Sequence, residues 1–178
     1  MLDLVKEEDS SSKDTYIFKG YVLGGIVFFL REKTDEALEC LLKALRLEIN
    51  EKGGDSLRLI EVYYWLGETY AKLKKYYLAK NYYSKAYRLY GKHEVLEPKL
   101  LANICLQLGL ANIRQEEYAE ADKLFEIGVG KAEESGDFSI YIQILLKSAE
   151  NDLAMGSYKQ TLGKYARVFK IFRECKCQ

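Results

Sequence analysis

A small residue recurs at a nearly constant interval along the chain. Gly25, Gly67 and Gly109 are 42 residues apart, and Ala149 follows 40 residues after Gly109. Each lies in an apolar stretch with helical periodicity. There a glycine costs roughly 1 kcal/mol of helix stability relative to alanine. A cost repeated at one interval indicates a packing role, because a glycine lets two backbones approach where a side chain would hold them apart.

Further residues recur at fixed distances from these four sites. A small residue follows twelve positions later, a large residue four positions after that, and another small residue three positions further on. The order small, small, large, small holds in three copies and weakens in the fourth. The second, third and fourth members of each copy are Ala37, Leu41 and Ala44; Ala79, Tyr83 and Ala86; Ala121, Phe125 and Gly128; and Thr161, Tyr165 and Val168.

The second copy resembles the tetratricopeptide repeat, whose pattern is W-x2-L-G-x2-Y followed by A-x3-F and a later alanine. The seven matching positions are Tyr63, Leu66, Gly67, Tyr70, Ala79, Tyr83 and Ala86. The closing proline is absent, and the period of 42 exceeds the usual 34. Longer units of this kind resemble those of kinesin light chains and of the peptide-reading domains of Gram-positive quorum-sensing regulators. In the fourth copy, Asp152 stands where a large residue is expected.

The resemblance implies an all-α fold, a right-handed superhelical solenoid of antiparallel helix pairs with about four repeats. The repeats are expected near residues 18–51, 60–93, 102–135 and 142–175, within a domain covering 15–178, and residues 1–14 are expected to be a flexible lead-in. A chain with the single proline Pro98 also favours helices. The predicted helices span 15–31, 34–50, 56–74, 77–91, 97–114, 118–134, 138–155 and 157–174.

The resemblance further implies a concave surface made mainly by the first helix of each repeat, and hence a non-enzymatic scaffold that binds a protein or peptide in an apolar groove. Phe29, Tyr64, Leu106 and Leu110 are the predicted anchors. The alternative is that these side chains are simply core. The full set of predicted binding residues is Val22, Ile26, Phe29, Glu61, Tyr64, Glu68, Lys72, Asn103, Leu106, Leu110, Arg114 and Leu146.

One subclass of the family does not fit. Members that grip the C-terminal carboxylate of chaperones use lysine and asparagine at positions that Val22, Ile26 and Trp65 occupy here. The clamp residues are therefore missing, and chaperone-tail binding is not expected.

Charge and composition exclude other classes of function. Lys+Arg and Asp+Glu are both 27, so the formal net charge is zero, which argues against a dedicated nucleic-acid binder. The longest apolar run, 21–30, is half the length of a membrane span. The spacing of the four cysteines does not suggest a disulfide framework. We therefore expect a cytoplasmic protein that does not insert in a membrane.

No residue pattern indicates catalysis, a cofactor or a metal. The only histidine, His93, falls in a predicted loop, and Cys105 falls at a core position. Cys175 and Cys177 are two thiols where structural zinc usually has four ligands, so a frayed tail is the preferred interpretation.

Two alternatives remain open. The long period suits the sensor domain of a peptide-responsive transcription regulator. The last predicted helix carries more apolar surface than one partner helix can cover, which suits a self-assembling module or a homo-oligomer formed through that helix, or else a chain that is a piece of a longer protein. Its apolar residues are Leu162, Tyr165, Val168, Phe169, Ile171 and Phe172.

Overall fold

The computed structural model describes residues 2–93 and 97–175, and their side chains in 13–93 and 97–173. All regular structure in this part of the chain is helical, as predicted. The helices are α1 (Leu2–Leu30), α2 (Thr34–Lys52), α3 (Arg58–Lys72), α4 (Tyr76–Tyr90), α5 (Pro98–Ile113), α6 (Tyr118–Ser135), α7 (Phe138–Ala154) and α8 (Tyr158–Cys175). No described helix is both long enough and apolar enough to cross a membrane.

The predicted helix bounds agree with the observed ones to within two residues, with one exception. α1 begins at Leu2, so the predicted start at residue 15 was wrong. The segment before Gly20 contains neither glycine nor proline, the residues that most strongly stop a helix. The helix therefore continues through this segment. The prediction of a lead-in rested on the polar composition of the segment, which does not by itself stop a helix.

The connection between α6 and α7 shows how the repeats are separated. Gly136 ends α6 in the left-handed region with φ 68°, which glycine adopts at little cost. The carboxylate of Asp137 then accepts hydrogen bonds from the backbone N–H groups of Ser139 at 3.0 Å and Ile140 at 3.1 Å. These bonds satisfy two donors that have no partner inside a helix, so Asp137 fixes the start of α7.

The chain divides into two compact units, unit 1 (Met1–Leu89) and unit 2 (Tyr90–Gln178). In unit 1, α2 packs on α1 and α3, and α1 also contacts α3. In unit 2, each of α5, α6 and α7 packs on the next helix, and α5 also contacts α7. The core of unit 2 contains Ala102, Leu106, Ala121, Phe125, Ala132, Ile140 and Ile144.

The repeating glycines lie where the two helices of a repeat touch. All four small sites are buried. A Cβ added at Gly67 would lie 2.4 Å from Tyr83 Cε1, and one at Gly109 would lie 2.5 Å from Phe125 Cε1. At Gly25 the nearest atom would be Leu41 Cγ at 2.7 Å. The glycine therefore opposes the large residue of the second helix.

The fourth repeat departs from this arrangement. Ala149 is fully buried in the place of a glycine. Tyr165 occupies the position of the large residue in this repeat and is only half-buried. The residues at the same position in the other repeats, Leu41, Tyr83 and Phe125, are at most 2% exposed. The weaker sequence pattern in this copy thus coincides with a less complete insertion of the large side chain.

Candidate functional site

Helices α1 and α3 form the surface that carries seven of the twelve predicted binding residues. We call it the α1/α3 surface. The two helices contact each other and run in the same direction, because Arg58 at the start of α3 reaches Phe18 while Lys72 at its end reaches Phe29. Val22 is buried, Ile26 and Phe29 are half-buried, and Glu61 and Lys72 are exposed.

An aromatic cluster of Phe29, Tyr64, Trp65 and Tyr83 lies at the C-terminal end of this surface. The rings of Phe29 and Trp65 meet edge to face with centroids 5.5 Å apart, and those of Tyr64 and Trp65 do so at 5.4 Å. Tyr64 and Tyr83 are 6.2 Å apart. Tyr83 is buried and the other three are half-buried. These geometries are the ones aromatic pairs prefer, so the rings are held in place before any ligand binds.

Lys72 forms the charged edge of the aromatic cluster. Its Nζ lies 5.0 Å from the ring centroid of Phe29 and 3.5 Å from the carboxylate of Glu32. Phe29 belongs to α1 and Glu32 directly follows it. Lys72, at the end of α3, therefore connects α3 to the C-terminal end of α1. The contact with the ring orients the ammonium group and leaves it accessible at the rim.

Glu68 and Tyr83 form a polar pair beneath the rings. The Tyr83 hydroxyl donates a hydrogen bond to the Glu68 carboxylate at 2.8 Å. Burial raises the pKa of Glu68, and the hydrogen bond from Tyr83 opposes that shift. Burial also raises the pKa of Tyr64, with a smaller contribution from the charge of Glu68. The interior of the cluster therefore disfavours negative charge.

A cavity of about 260 Å³ lies at the other end of the α1/α3 surface. Arg58 is its most firmly held charged group. Its guanidinium lies 3.5 Å from the carboxylate of Glu48, donates to the Thr15 hydroxyl at 3.3 Å and stacks 5.6 Å from the centroid of Phe18. The cavity is lined by Phe18, Lys19, Val22, Leu23, Arg58 and Glu61.

Sequence reasoning missed Glu48, which is fully buried and also accepts a hydrogen bond from Ser56. A signal was present in the sequence. Ala37, Leu41 and Ala44 mark the core face of α2, and Glu48 continues that face at helical spacing. A carboxylate at such a position requires a cationic partner, which Arg58 supplies.

The five predicted binding residues of unit 2 fall into two groups. Leu106 is 4% exposed inside the core, and Leu110 packs against that core. Asn103 and Leu146 are half-buried and Arg114 is exposed. The Asn103 amide donates to the backbone carbonyl of Lys99 at 3.1 Å. Val22 in unit 1 is as buried as Leu106, so these two side chains behave as core residues, the alternative that the sequence left open.

Lys164 centres a polar cluster that the repeat pattern did not indicate. Its Nζ lies 2.8 Å from Asp152 Oδ2, 3.4 Å from Asp122 Oδ1 and 2.6 Å from the hydroxyl of Ser148. Asp152 is 1% exposed. The cluster joins α6, α7 and α8, and it explains how an acidic side chain is accommodated where the pattern expects a large one. The sequence did contain a signal, because an acidic residue such as Asp152 on the core face of a helix needs a cationic partner close by.

Cys105 lies in the core, as its position in the repeat predicts. Burial raises the pKa of its thiol to about 12, which keeps the thiol protonated. His93 is half-buried after α4. Cys177 and the side chain of Cys175 lie outside the described residues. Within the described ranges, no group of three or more His, Cys, Asp or Glu residues is arranged to hold a metal.

The sequence of residues 21–92 matches the family model of the tetratricopeptide repeat. The chain has a tetratricopeptide-like repeat fold. BtubC (BKLC) from P. vanneervenii is similar to it with a TM-score of 0.79 and 15% identity, over 89% of this chain and 64% of BtubC. A Podosopora anserina putative kinesin light chain with nearly identical TPR-like repeats gives a TM-score of 0.73 and 15% identity, over 88% of this chain and 74% of that one.

A third solved structure with this tetratricopeptide-like fold is the Rap conjugation gene regulator of the plasmid pLS20 in complex with the Phr* peptide. Its TM-score is 0.66 at 16% identity, over 92% of this chain and 44% of the regulator. The chain thus spans less than two thirds of BtubC and of the Rap regulator. No curated protein matches it in sequence. The resemblance to kinesin light chains and to Gram-positive peptide regulators is confirmed at the level of fold.

Proposed function

We propose that this chain is a non-enzymatic scaffold that binds a protein or peptide partner on the α1/α3 surface. The observation that carries the proposal is the aromatic cluster, in which three half-buried rings are fixed by one another and bordered by Lys72. Rigid aromatic side chains with a charged neighbour are the usual anchors of protein interfaces. Ile26, beside the cluster on α1, extends its apolar area.

The cavity at the other end of the α1/α3 surface supplies a second contact. Its volume of about 260 Å³ is below that of a typical small-molecule pocket and suits one apolar side chain of a partner. Lys19 of α1 and Arg58 and Glu61 of α3 are the charged residues that line this space. We infer that the partner contributes apolar side chains to the cluster and the cavity, and that Glu61, Glu68 and Lys72 orient it.

In unit 2 we propose a supporting role for the predicted residues that remain accessible. Asn103, Arg114 and Leu146 offer polar and apolar contacts to a partner, and Leu110 contributes its half-buried edge. Leu106 would act only by holding α5 in place, because its side chain is inside the core. The solved Rap regulator contains a bound peptide, and that finding supports a peptide as one form of the partner.

The absence of enzymatic activity and the cytoplasmic location belong to the same proposal. The protonated, buried thiol of Cys105 supports a structural role for this residue. No cofactor enters the proposal, since binding through apolar anchors needs none.

The proposal is tested by selecting random peptides from a displayed library against the purified protein. Trp65 is the only tryptophan of the chain and belongs to the aromatic cluster, so its emission reports on the surface directly. We expect enriched peptides to be rich in apolar residues and to shift Trp65 emission on binding. Tyr64→Ala and Lys72→Glu should each raise the Kd of the peptide at least about tenfold, which corresponds to about 1.4 kcal/mol of binding free energy.

The matched control is Tyr77→Glu, which alters a tyrosine on α4 that is 76% exposed and lies outside the cluster. It should leave peptide affinity unchanged. Circular dichroism establishes that each variant is folded. Enriched peptides that bind the Tyr64→Ala and Lys72→Glu variants as tightly as the wild type would show that the α1/α3 surface is not the site.

The second candidate is a sensor domain of a peptide-responsive transcription regulator, favoured by the fold it shares with the Rap conjugation gene regulator. A sensor must change state when its ligand binds, whereas a scaffold need not. Hydrogen exchange separates the two candidates. A sensor would alter protection in helices that do not touch the selected peptide, and a scaffold would alter it only around the α1/α3 surface.

A further inference from the structure

Two exposed apolar stripes lie largely outside the α1/α3 surface, one on α1 and one on α8. On α1, Tyr16, Leu23, Val27 and Leu30 are 73%, 63%, 51% and 68% exposed. On α8, Tyr158, Leu162, Phe169 and Phe172 are 66%, 70%, 66% and 52% exposed. Single exposed apolar residues are ordinary, but a continuous stripe along a helix usually marks a contact surface.

The two stripes have the same spacing. With Gly20 on α1 and the half-buried Tyr165 on α8 included, successive members are four, three, four and three residues apart. Each stripe therefore runs along one face of its helix for about 21 Å at 1.5 Å per residue. The α1 stripe is Tyr16, Gly20, Leu23, Val27 and Leu30, and the α8 stripe is Tyr158, Leu162, Tyr165, Phe169 and Phe172.

Gly20 is the member of the α1 stripe that has no packing explanation within the chain. It is exposed, and a Cβ added to it would meet no atom within 4 Å. The three repeat glycines, by contrast, each accommodate a large side chain from a neighbouring helix. A helix-interior glycine costs roughly 1 kcal/mol. At Gly20 that cost is offset by nothing in the described residues.

We propose that α1 of one copy packs against α8 of a second copy. Consecutive helices such as α6 and α7, joined by a connection of two residues, pack antiparallel, and this contact would continue the same order. In an antiparallel arrangement with the stripes aligned, Gly20 opposes Phe169 of the second copy. Leu23 then opposes Tyr165, and Val27 opposes Leu162.

This pairing repeats the size relation found inside the repeats. Gly67 accommodates the ring of Tyr83, and Gly109 accommodates that of Phe125. Pairing two α8 stripes would oppose Phe169 with Leu162, and pairing two α1 stripes would oppose Gly20 with Val27. Only the mixed pairing places an aromatic ring against the glycine. The second copy is therefore the occupant that fits each stripe.

The area available is that of a weak, transient contact, just below the size of stable specific interfaces. Eight side chains that expose half to three quarters of their surface offer on the order of 1,000 Å², given 150–250 Å² for a buried aromatic residue. Specific protein interfaces begin near about 1,200 Å² in total. We therefore expect reversible association at micromolar concentrations.

The experiment is sedimentation velocity of the full chain and of two blocked variants. Val27→Glu blocks the α1 stripe and Phe169→Glu blocks the α8 stripe. We expect the wild type to form oligomers with increasing concentration, each variant to remain monomeric, and an equal mixture of the two to form a heterodimer. Each variant in that mixture supplies the stripe that the other lacks.

Several results would overturn the proposal. A monomeric wild type at about 200 µM would do so, since that concentration far exceeds a micromolar Kd. A Val27→Glu variant that still dimerises alone would indicate pairing of two α8 stripes, and a Phe169→Glu variant that does so would indicate pairing of two α1 stripes. A mixture that stays monomeric would exclude the mixed contact. Tyr77→Glu is the matched control and should associate like the wild type.

The variant Gly20→Leu distinguishes the specific contact from non-specific hydrophobic association. The substitution adds an exposed apolar side chain, so non-specific association predicts stronger self-association. Seating of Phe169 against Gly20 predicts the opposite, a loss of at least tenfold in affinity. Adding Phe169→Ala to Gly20→Leu should recover part of that loss. Leu23 also lines the cavity of the α1/α3 surface, so peptide binding is compared at about 1 µM, where the chain is monomeric. There the Trp65 emission change on peptide binding should be the same in Gly20→Leu and the wild type, and failure of the self-association proposal leaves the proposed function untouched.

Discussion

Gly67 and Gly20 are helix-interior glycines of the same unit in opposite surroundings. A Cβ at Gly67 would lie within 2.9 Å of three atoms of the Tyr83 ring, which is held by its hydrogen bond to Glu68. A Cβ at Gly20 would meet nothing. The same substitution should therefore have opposite effects at the two sites.

We predict that Gly67→Ala lowers the free energy of unfolding by up to about 2 kcal/mol, since overpacking costs about 1–3 kcal/mol and helix propensity returns roughly 1 kcal/mol. Gly20→Ala should raise it by up to about 1 kcal/mol through propensity alone. Urea unfolding at about 1 µM, below the expected self-association, measures both. Equal effects of the two substitutions would refute the packing role of Gly67.

Glu68 should make stability depend on pH. Burial raises its pKa above the ordinary value of 4.5, so the folded state holds the proton more tightly than the unfolded state. The stabilising contribution is complete below pH 4.5 and is lost as pH rises through the raised pKa. Glu68→Gln, which retains an acceptor for the Tyr83 hydroxyl, removes this dependence.

The measurement is the difference in unfolding free energy between Glu68→Gln and the wild type, followed from about pH 4 to pH 8. We expect the variant to gain stability relative to the wild type as pH rises. A difference that stays constant over this range would mean that Glu68 ionises in the folded state as it does in the unfolded state.

At the scale of helices, the sequence predicted the helix pairs, which depend on periodic packing. It did not predict the buried ion pairs, which depend on single polar residues. The interval between Gly25, Gly67 and Gly109 located the hairpins, because close approach of two helices leaves a residue-size signature. Asp152 appeared only as a departure from the pattern. Its partner Lys164 lies on a different helix, twelve residues away, and no spacing rule pairs a core acid with a cation across a turn.

The binding residues were predicted from position within a repeat, and position alone does not give burial. Ile26 and Phe29 remain accessible, whereas Val22 and Leu106 are core, since how far a side chain is covered depends on the neighbouring helix. The buried pair of Glu48 with Arg58 was missed for a similar reason. The two residues belong to different repeats, and the pattern describes each repeat separately.

The cluster around Lys164 gives the prediction for this scale. Lys164→Met leaves the carboxylate of Asp152 buried without its cation, which should cost about 3 kcal/mol. Adding Asp152→Leu, which supplies the large residue that the repeat pattern expects, should recover most of that loss. Lys123→Met is the matched control, because its pair with Glu120 is exposed and is worth at most about 1 kcal/mol.

Thermal and urea unfolding of the two single variants and the double variant measure the coupling between Lys164 and Asp152. If the double variant is no more stable than Lys164→Met alone, the acid does not depend on the lysine. In that case the cluster would not explain how α7 accommodates Asp152.

Over the whole molecule, charge is balanced although α8 by itself is basic. The formal net charge is zero, while no acidic residue occurs between residues 153 and 173. Lys164 is paired with Asp152 and Asp122. Arg167 and Lys170 line a cavity of about 470 Å³ together with Glu133 and Asp137. Acidic groups of α6 and α7 thus lie beside the cations of α8 and reduce the potential that a phosphate backbone would meet.

We therefore predict that the chain does not bind nucleic acid at physiological salt. A fluorescein-labelled DNA of 20 nucleotides, single- or double-stranded, should show no saturable binding below about 100 µM, the weak limit of non-specific affinity. A Kd below about 10 µM that weakens steeply with salt would contradict this. If the Lys170→Glu and Arg173→Glu double variant lost that binding, α8 would be the phosphate-binding surface. The local charge of α8, and not the net charge of the chain, would then determine binding to nucleic acid.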